Sequence, residues 1–208
     1  MNSHKPNIKT TEDLFADTEK AWDYSDDGFD YKFILGNEKI VFIKGGAGAS
    51  AGGYKDKYIK MAERVHERLG ATVICASNPE EPICEAPDEE EIRWVVAERG
   101  FSNFELYFVG VSDGSYENLK LASKFPETVK FLGVNSSYIY FENFENKLKN
   151  LPQVEKILVY GTNDEDYDEV SQLKNSNIEN FKFVSVKGAD HSFNGMIEEF
   201  IALVELLY

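Results

Sequence analysis

In the segment Gly110-Val111-Ser112-Asp113-Gly114 a serine stands between two glycines. A serine hydroxyl is a weak nucleophile until a base takes its proton, so the segment has chemical meaning only if a histidine and an orienting acid can reach it. The chain contains three histidines. His4 lies in a polar N-terminal stretch, and His66 sits at helical spacing among Glu63, Arg64, Glu67 and Arg68, the setting of a solvated helix face. His191 stands in Lys187-Gly188-Ala189-Asp190-His191-Ser192-Phe193, between an apolar run and a final amphipathic stretch. Loops at such positions are where functional side chains are presented. For the acid, Asp164 follows the apolar run Lys156 to Tyr160 in Gly161-Thr162-Asn163-Asp164, with Glu165 and Asp166 as competitors. These residue types would suit acyl transfer, in which serine attacks a carbonyl, histidine relays the proton and the acid holds the imidazole. Plainer readings stand beside this one: the Gly-Ser-Gly turn can simply join two elements, the histidine can cap a helix, and the acids can form a solvated loop.

The elements that must position these groups are legible from periodicity. Strand-like runs occupy 30–35, 39–44, 71–76, 104–110, 129–134, 156–160 and 181–186. Four of them, containing Ile40 to Ile43, Thr72 to Cys75, Leu106 to Val109 and Ile157 to Tyr160, are apolar on consecutive positions, as strands covered on both faces require. Between them lie helical patterns, first through Tyr58, Met61, Val65 and Leu69, then through Ile92, Val95 and Val96. The second pattern reads as capped by Asp88, with Glu91 three residues on completing a capping box. A last stretch places Met196, Ile197, Phe200, Ile201, Val204 and Leu207 on one face. This alternation predicts an α/β fold, a three-layer α/β/α sandwich around a mostly parallel sheet. The acid-rich residues 1–28 read as a partly disordered tail and 29–208 as one domain. In this frame Ser112 falls between a buried strand and a helix, the context of a nucleophile elbow, with the Asp113 N–H and the helix N-terminus beneath it to stabilise an anion.

Composition excludes other classes. With 37 acidic and 22 basic side chains the net charge is −15, and no Lys/Arg stripe offsets it, so no nucleic acid and no membrane surface are expected as partners. No run is long enough to span a bilayer, and the N-terminus has no signal-like apolar core, which makes the cytoplasm the expected location. The two cysteines, Cys75 and Cys84, read as free thiols and give no metal site; no cofactor is expected. One competing motif is Gly46-x-Gly48-x-x-Ala51, which matches a dinucleotide fingerprint, while Gly48 and Gly53 have the spacing that opens a phosphate loop. Tyr54 stands where such a loop needs lysine, and Ala76-Ser77-Asn78-Pro79 brings no acid for a ribose, so a nucleotide-binding protein is the weaker reading.

The order Ser112, Asp164, His191 and the three motifs that carry them resemble the α/β-hydrolase superfamily, in particular its small capless members akin to dienelactone hydrolases and carboxylesterases. The resemblance extends over about Phe29 to Tyr208. It implies the minimal α/β-hydrolase fold without a large cap, and an esterase-like serine hydrolase acting on a small-molecule ester or thioester. A second oxyanion donor is then implied in Ile43-Lys44-Gly45-Gly46-Ala47-Gly48, from the N–H of Gly46 or of Ala47, with Lys44 where that family usually has histidine. Val111 likewise departs from the His or Tyr usual before the serine. A non-enzymatic binding module of the same fold is the alternative, since fold does not dictate function. The segment 135–154 has room for one helix and none for a large lid, so the site is expected to be open. Lys44, Tyr116, Tyr138, Tyr140 and Phe193 are candidates to line it. Acids after two strands, Asp164 to Glu169 and Glu80 to Glu91, are expected at the same edge and would favour neutral or cationic esters. A homo-oligomer is possible and not predictable from these features.

Overall fold

The computed structural model describes residues 24–26, 28–80, 86–137 and 141–208. In chain order its elements are β1 (Tyr24–Asp26), β2 (Phe29–Ile34), β3 (Asn37–Lys44), α1 (Lys57–Leu69), β4 (Ala71–Ala76), α2 (Asp88–Arg99) and β5 (Glu105–Val111). Then come α3 (Asp113–Ala122), β6 (Thr128–Val134), α4 (Phe141–Lys149), β7 (Glu155–Gly161), α5 (Tyr167–Val170), β8 (Phe181–Val186) and α6 (Ile197–Ala202). The strands form one sheet in the order β1-β2-β4-β3-β5-β6-β7-β8. The β1/β2 and β2/β4 pairs are antiparallel and the others parallel, in line with the mostly parallel sheet expected. β1 extends the sheet ahead of Phe29, where order was expected to begin.

The consecutive apolar runs work as two interleaved sets because strand side chains alternate between faces. Ile40, Phe42, Leu106, Phe108, Leu158 and Tyr160 join the core beneath α2, α3 and α4. Their neighbours Val41, Ile43, Tyr107, Val109, Ile157 and Val159 join the core beneath α1 and α6. Sheet and both helix layers make the three-layer sandwich. The last apolar stretch is α6 followed by a tighter 3₁₀ turn, Leu203–Leu207, which continues the same buried face through Val204 and Leu207.

The same alternation corrects one expectation, and the packing of α2 and α1 corrects two more. Lys44 shares its face with Ile40 and Phe42, so it points away from the sheet edge and is fully buried. Its Nζ lies 2.7 Å from Asp88 Oδ2 and donates to Ser77 O at 3.2 Å. Asp88 in turn accepts the Tyr31 hydroxyl at 2.7 Å. Asp88 is therefore not a cap: α2 is preceded by Pro87, no side chain caps it, and Asp88 is its first residue. A buried ammonium needs a hydrogen-bonded counter-charge more than a helix end needs a cap. His66 is half-buried rather than a solvated face residue, its Nδ1 meeting Ala71 O at 2.8 Å where α1 turns into β4.

Candidate active site

β5 ends at Val111, α3 begins at Asp113, and Ser112 between them has φ 52° and ψ −125°. That is a strained conformation for a residue with a side chain, sustained because strand and helix converge there. The convergence depends on two glycines: a Cβ on Gly110 would overlap the Ser115 backbone, and one on Gly114 would overlap the carbonyls of Lys44 and Gly45. Gly114 thus seats α3 on the end of β3, next to the loop that follows it.

Three loops at the carboxyl ends of the strands bring side chains together. His191 Nε2 lies 3.0 Å from Ser112 Oγ, and His191 Nδ1 lies 2.7 Å from Asp164 Oδ2. A carboxylate only accepts, so Nδ1 carries the imidazole proton and Nε2 presents its lone pair to the serine hydroxyl. The other carboxylate oxygen, Asp164 Oδ1, accepts the Asp166 N–H at 2.9 Å. Among the competing acids Asp164 is hydrogen-bonded to His191, and Asp166 supports Asp164 through its backbone N–H. The Asp164 side chain is fully buried, whereas the His191 side chain is 44% exposed and open to a ligand. The hydrogen bond that Nδ1–H donates to Asp164 raises the His191 pKa above its usual value; partial burial opposes this, and the charges of Asp164, Asp166 and Glu165 add to the rise.

The His191 loop is held from several sides. Asn135, fully buried with φ 41° at the end of β6, donates from Nδ2 to His191 O at 2.8 Å and Asp190 O at 3.1 Å. Its Oδ1 accepts the Gly161 N–H at 2.9 Å, so one side chain ties the acid strand to the histidine loop. Asp190 accepts the N–H groups of Ser192 and Asn194 and the Asn194 side chain, which closes the turn. Phe193 anchors it underneath: the ring is buried and packs edge-on against Phe200 at 5.3 Å. Phe193 therefore supports the loop instead of lining the cleft. Tyr116 does not line it either, because its place on α3 turns it toward α4, with the Lys120 and Lys147 ammonium groups 5.3 and 5.5 Å from its ring centre. Tyr138 and Tyr140 lie outside the described residues, as do Cys84 and His4. Cys75 is a buried free thiol.

Opposite Ser112 runs the Gly45–Gly53 loop. Gly46 is so near that a Cβ there would stand 3.0 Å from Ser112 Cβ. Asn78 clamps the loop, donating to Gly45 O at 3.1 Å from its side chain, donating its N–H to Ala49 O at 2.8 Å, and accepting the Gly48 N–H at 2.7 Å. Ala49 N–H bonds Gly46 O at 3.0 Å. The Gly46 backbone faces the buried Tyr58 hydroxyl, whose pKa burial raises and that backbone contact partly lowers. Ala47 N–H makes none of these bonds, and Asp113 N–H, first in α3, has no intrahelical acceptor. The loop does not open a helix directly: a 3₁₀ turn, Tyr54–Asp56, separates it from α1, unlike the glycine loop of a dinucleotide site. Between loop and serine lies a cleft of about 550 Å³, bordered by Gly46 to Ser50 and Lys57 on one side and by Val111, Ser112, His191 and Ser192 on the other. Among the described residues no cluster of His, Cys, Asp or Glu could hold a metal ion, and no helix is long and apolar enough to cross a membrane.

No motif in the sequence marks Asn135, Asn78 or Tyr58 as a residue of the site. Each sits at or after a strand end, or on the helix facing one, which is the only signal the sequence offers.

The fold is the minimal α/β-hydrolase fold, with no cap domain among the described residues. An α/β serine hydrolase homologue from Coxiella burnetii superposes with a TM-score of 0.65 at 17% identity, covering 91% of this chain and 98% of that one. A lidless α/β serine hydrolase from Xanthomonas campestris gives 0.63 at 16% identity, with 90% and 93% covered. A dienelactone hydrolase from Anabaena variabilis gives 0.63 at 18%, with 89% and 94% covered. Likeness at these identities is likeness of fold. No protein-family model and no curated protein sequence matches the chain.

Proposed function

We propose that this chain is a serine hydrolase that cleaves a carboxylic ester or thioester of a small substrate through an acyl-enzyme on Ser112. The observation that carries the reading is the chain of hydrogen bonds from Ser112 Oγ through the His191 ring to the buried Asp164, at 3.0 and 2.7 Å, opening on a cleft. His191 takes the serine proton as Oγ attacks the carbonyl carbon, and Asp164 stabilises the imidazolium that forms. The tetrahedral oxyanion is received by two N–H groups, that of Asp113 and that of Gly46 or Ala47 in the facing loop. The imidazolium then protonates the leaving alcohol or thiol. Water, activated by the same histidine, releases the acid and restores Ser112.

The fold alone would suit a binding module equally well, and an aligned nucleophile separates the two. Exposure to a fluorophosphonate followed by peptide mass mapping tests it: a single adduct on Ser112 is expected. No adduct at high reagent concentration, or an adduct elsewhere, rejects the reading.

A further inference from the structure

Among the described residues the acidic excess of the chain does not border the cleft. None of the described residues lining it is Asp or Glu, and the side chains among them that carry or can take positive charge are His191 and Lys57. Of the acids expected at this edge, Asp164 lies behind His191, none of the described ones borders the cleft, and Glu81 and Glu85 lie outside the described residues. Glu80 lies beside Gly48 and Asp56 beside Gly52 without bordering the cleft.

Lys57 is the first residue of α1, a position where the helix dipole disfavours a cation, so helix stability does not account for it. Its Nζ stands 4.3 Å from the Phe200 ring centre and 5.1 Å from that of Tyr58. Phe200 is buried, so the ammonium rests on a fixed aromatic platform and its stem is ordered before any ligand arrives. Among the described residues no carboxylate forms an ion pair with Lys57, whereas Lys39, Lys44, Lys120, Lys124, Lys130 and Lys149 all have one. Burial lowers the Lys57 pKa, the mark of a cation partly stripped of water without a compensating anion.

We infer that Lys57 is a specificity determinant that receives a carboxylate on the substrate, so that the preferred ester carries an anionic group beyond its scissile carbonyl. The inference rests on the serine-hydrolase reading and reverses the preference for neutral or cationic esters expected from the sequence. Lys57 acts on binding, and Ser112 and His191 act on the bond.

The test compares kcat/KM for mono-4-nitrophenyl glutarate and 4-nitrophenyl butyrate in wild type, Lys57→Gln and Lys57→Arg. Taking the ratio of the two esters cancels any general loss of activity. The anionic-to-neutral ratio is expected to fall about tenfold in Lys57→Gln, equivalent to ~1.4 kcal/mol, and to stay within about threefold of wild type in Lys57→Arg. Added salt should lower the ratio in wild type and leave it nearly constant in Lys57→Gln. A Lys57→Gln ratio within about twofold of wild type overturns the inference while leaving the hydrolase reading intact. If wild type cleaves neither ester, the hydrolase reading fails. Calorimetry with glutaranilic acid and butyranilide then decides the subsite: acid-selective binding weakened in Lys57→Gln supports it, and absence of such binding refutes it.

Discussion

Replacing Glu91 by glutamine should stabilise the protein, and by an amount that depends on pH. Glu91 lies in the first turn of α2 with 3% of its surface exposed, and its Oε2 has no hydrogen-bond partner among the described residues. Burial, reinforced by the charges of Asp88 and Glu90, pushes its pKa up to about 7 from an ordinary 4.5. The folded state therefore binds a proton that the unfolded state releases, and stability is lost as pH rises from the unfolded pKa through the folded one. At 1.36 kcal/mol per pH unit the full loss is roughly 3 kcal/mol, complete above pH 7. At pH 5 less than about 1 kcal/mol of it has developed, and at pH 8 nearly all has, so the advantage of Glu91→Gln should grow by about 2.5 kcal/mol between them. Urea unfolding of both proteins at pH 5, 6, 7 and 8 reads this directly, and the corresponding rise in Tm at pH 8 is on the order of 5–10 °C for a chain of this size. A difference that is constant with pH, or largest at pH 5, would refute the reasoning.

Under the proposed mechanism the base must be neutral, so kcat/KM should rise with pH, with its midpoint above the usual histidine value of 6.5 because Asp164 raises the His191 pKa. Asp164→Asn should move that limb to lower pH and cut kcat by about 10³–10⁴, as the neutral amide neither raises the pKa nor enforces the tautomer; a midpoint left in place would argue against this pairing. Asn135→Ala removes three hydrogen bonds at a fully buried site and places alanine at positive φ. Its expected cost is about 2–4 kcal/mol of stability, with kcat falling more than tenfold while KM changes little, because the histidine loop loosens. Equal changes in kcat and KM would mean that Asn135 does not position His191.

The strands were legible because a strand covered on both faces must be apolar at successive positions; β3, β5 and β7 contain their apolar runs with ends displaced by two residues or fewer. Ser112, Asp164 and His191 were legible for a related reason, each standing just past such a run, where the carboxyl edge of a parallel sheet gathers loops. The residues that escaped depend on what packs across the sheet. Lys44 follows Ile43 and was expected at the mouth, yet parity alone puts it with Ile40 and Phe42, and only the approach of α2 shows Asp88 waiting there. Asn135 carries no motif, because its role consists of joining two loops that the sequence keeps more than twenty residues away. Lys57 reads as an ordinary helix-start lysine until α6 supplies Phe200 beneath it.

In the proposed function Ser112 is the nucleophile of an ester-cleaving site. The most direct measurement is kcat/KM of wild type and Ser112→Ala on 4-nitrophenyl acetate, corrected for background hydrolysis. Turnover by wild type and a loss on the order of 10⁴ or more in the variant are expected, since removing the nucleophile leaves only the oxyanion donors and binding. Full activity in Ser112→Ala, or no turnover by wild type of this and longer aryl esters, would contradict it.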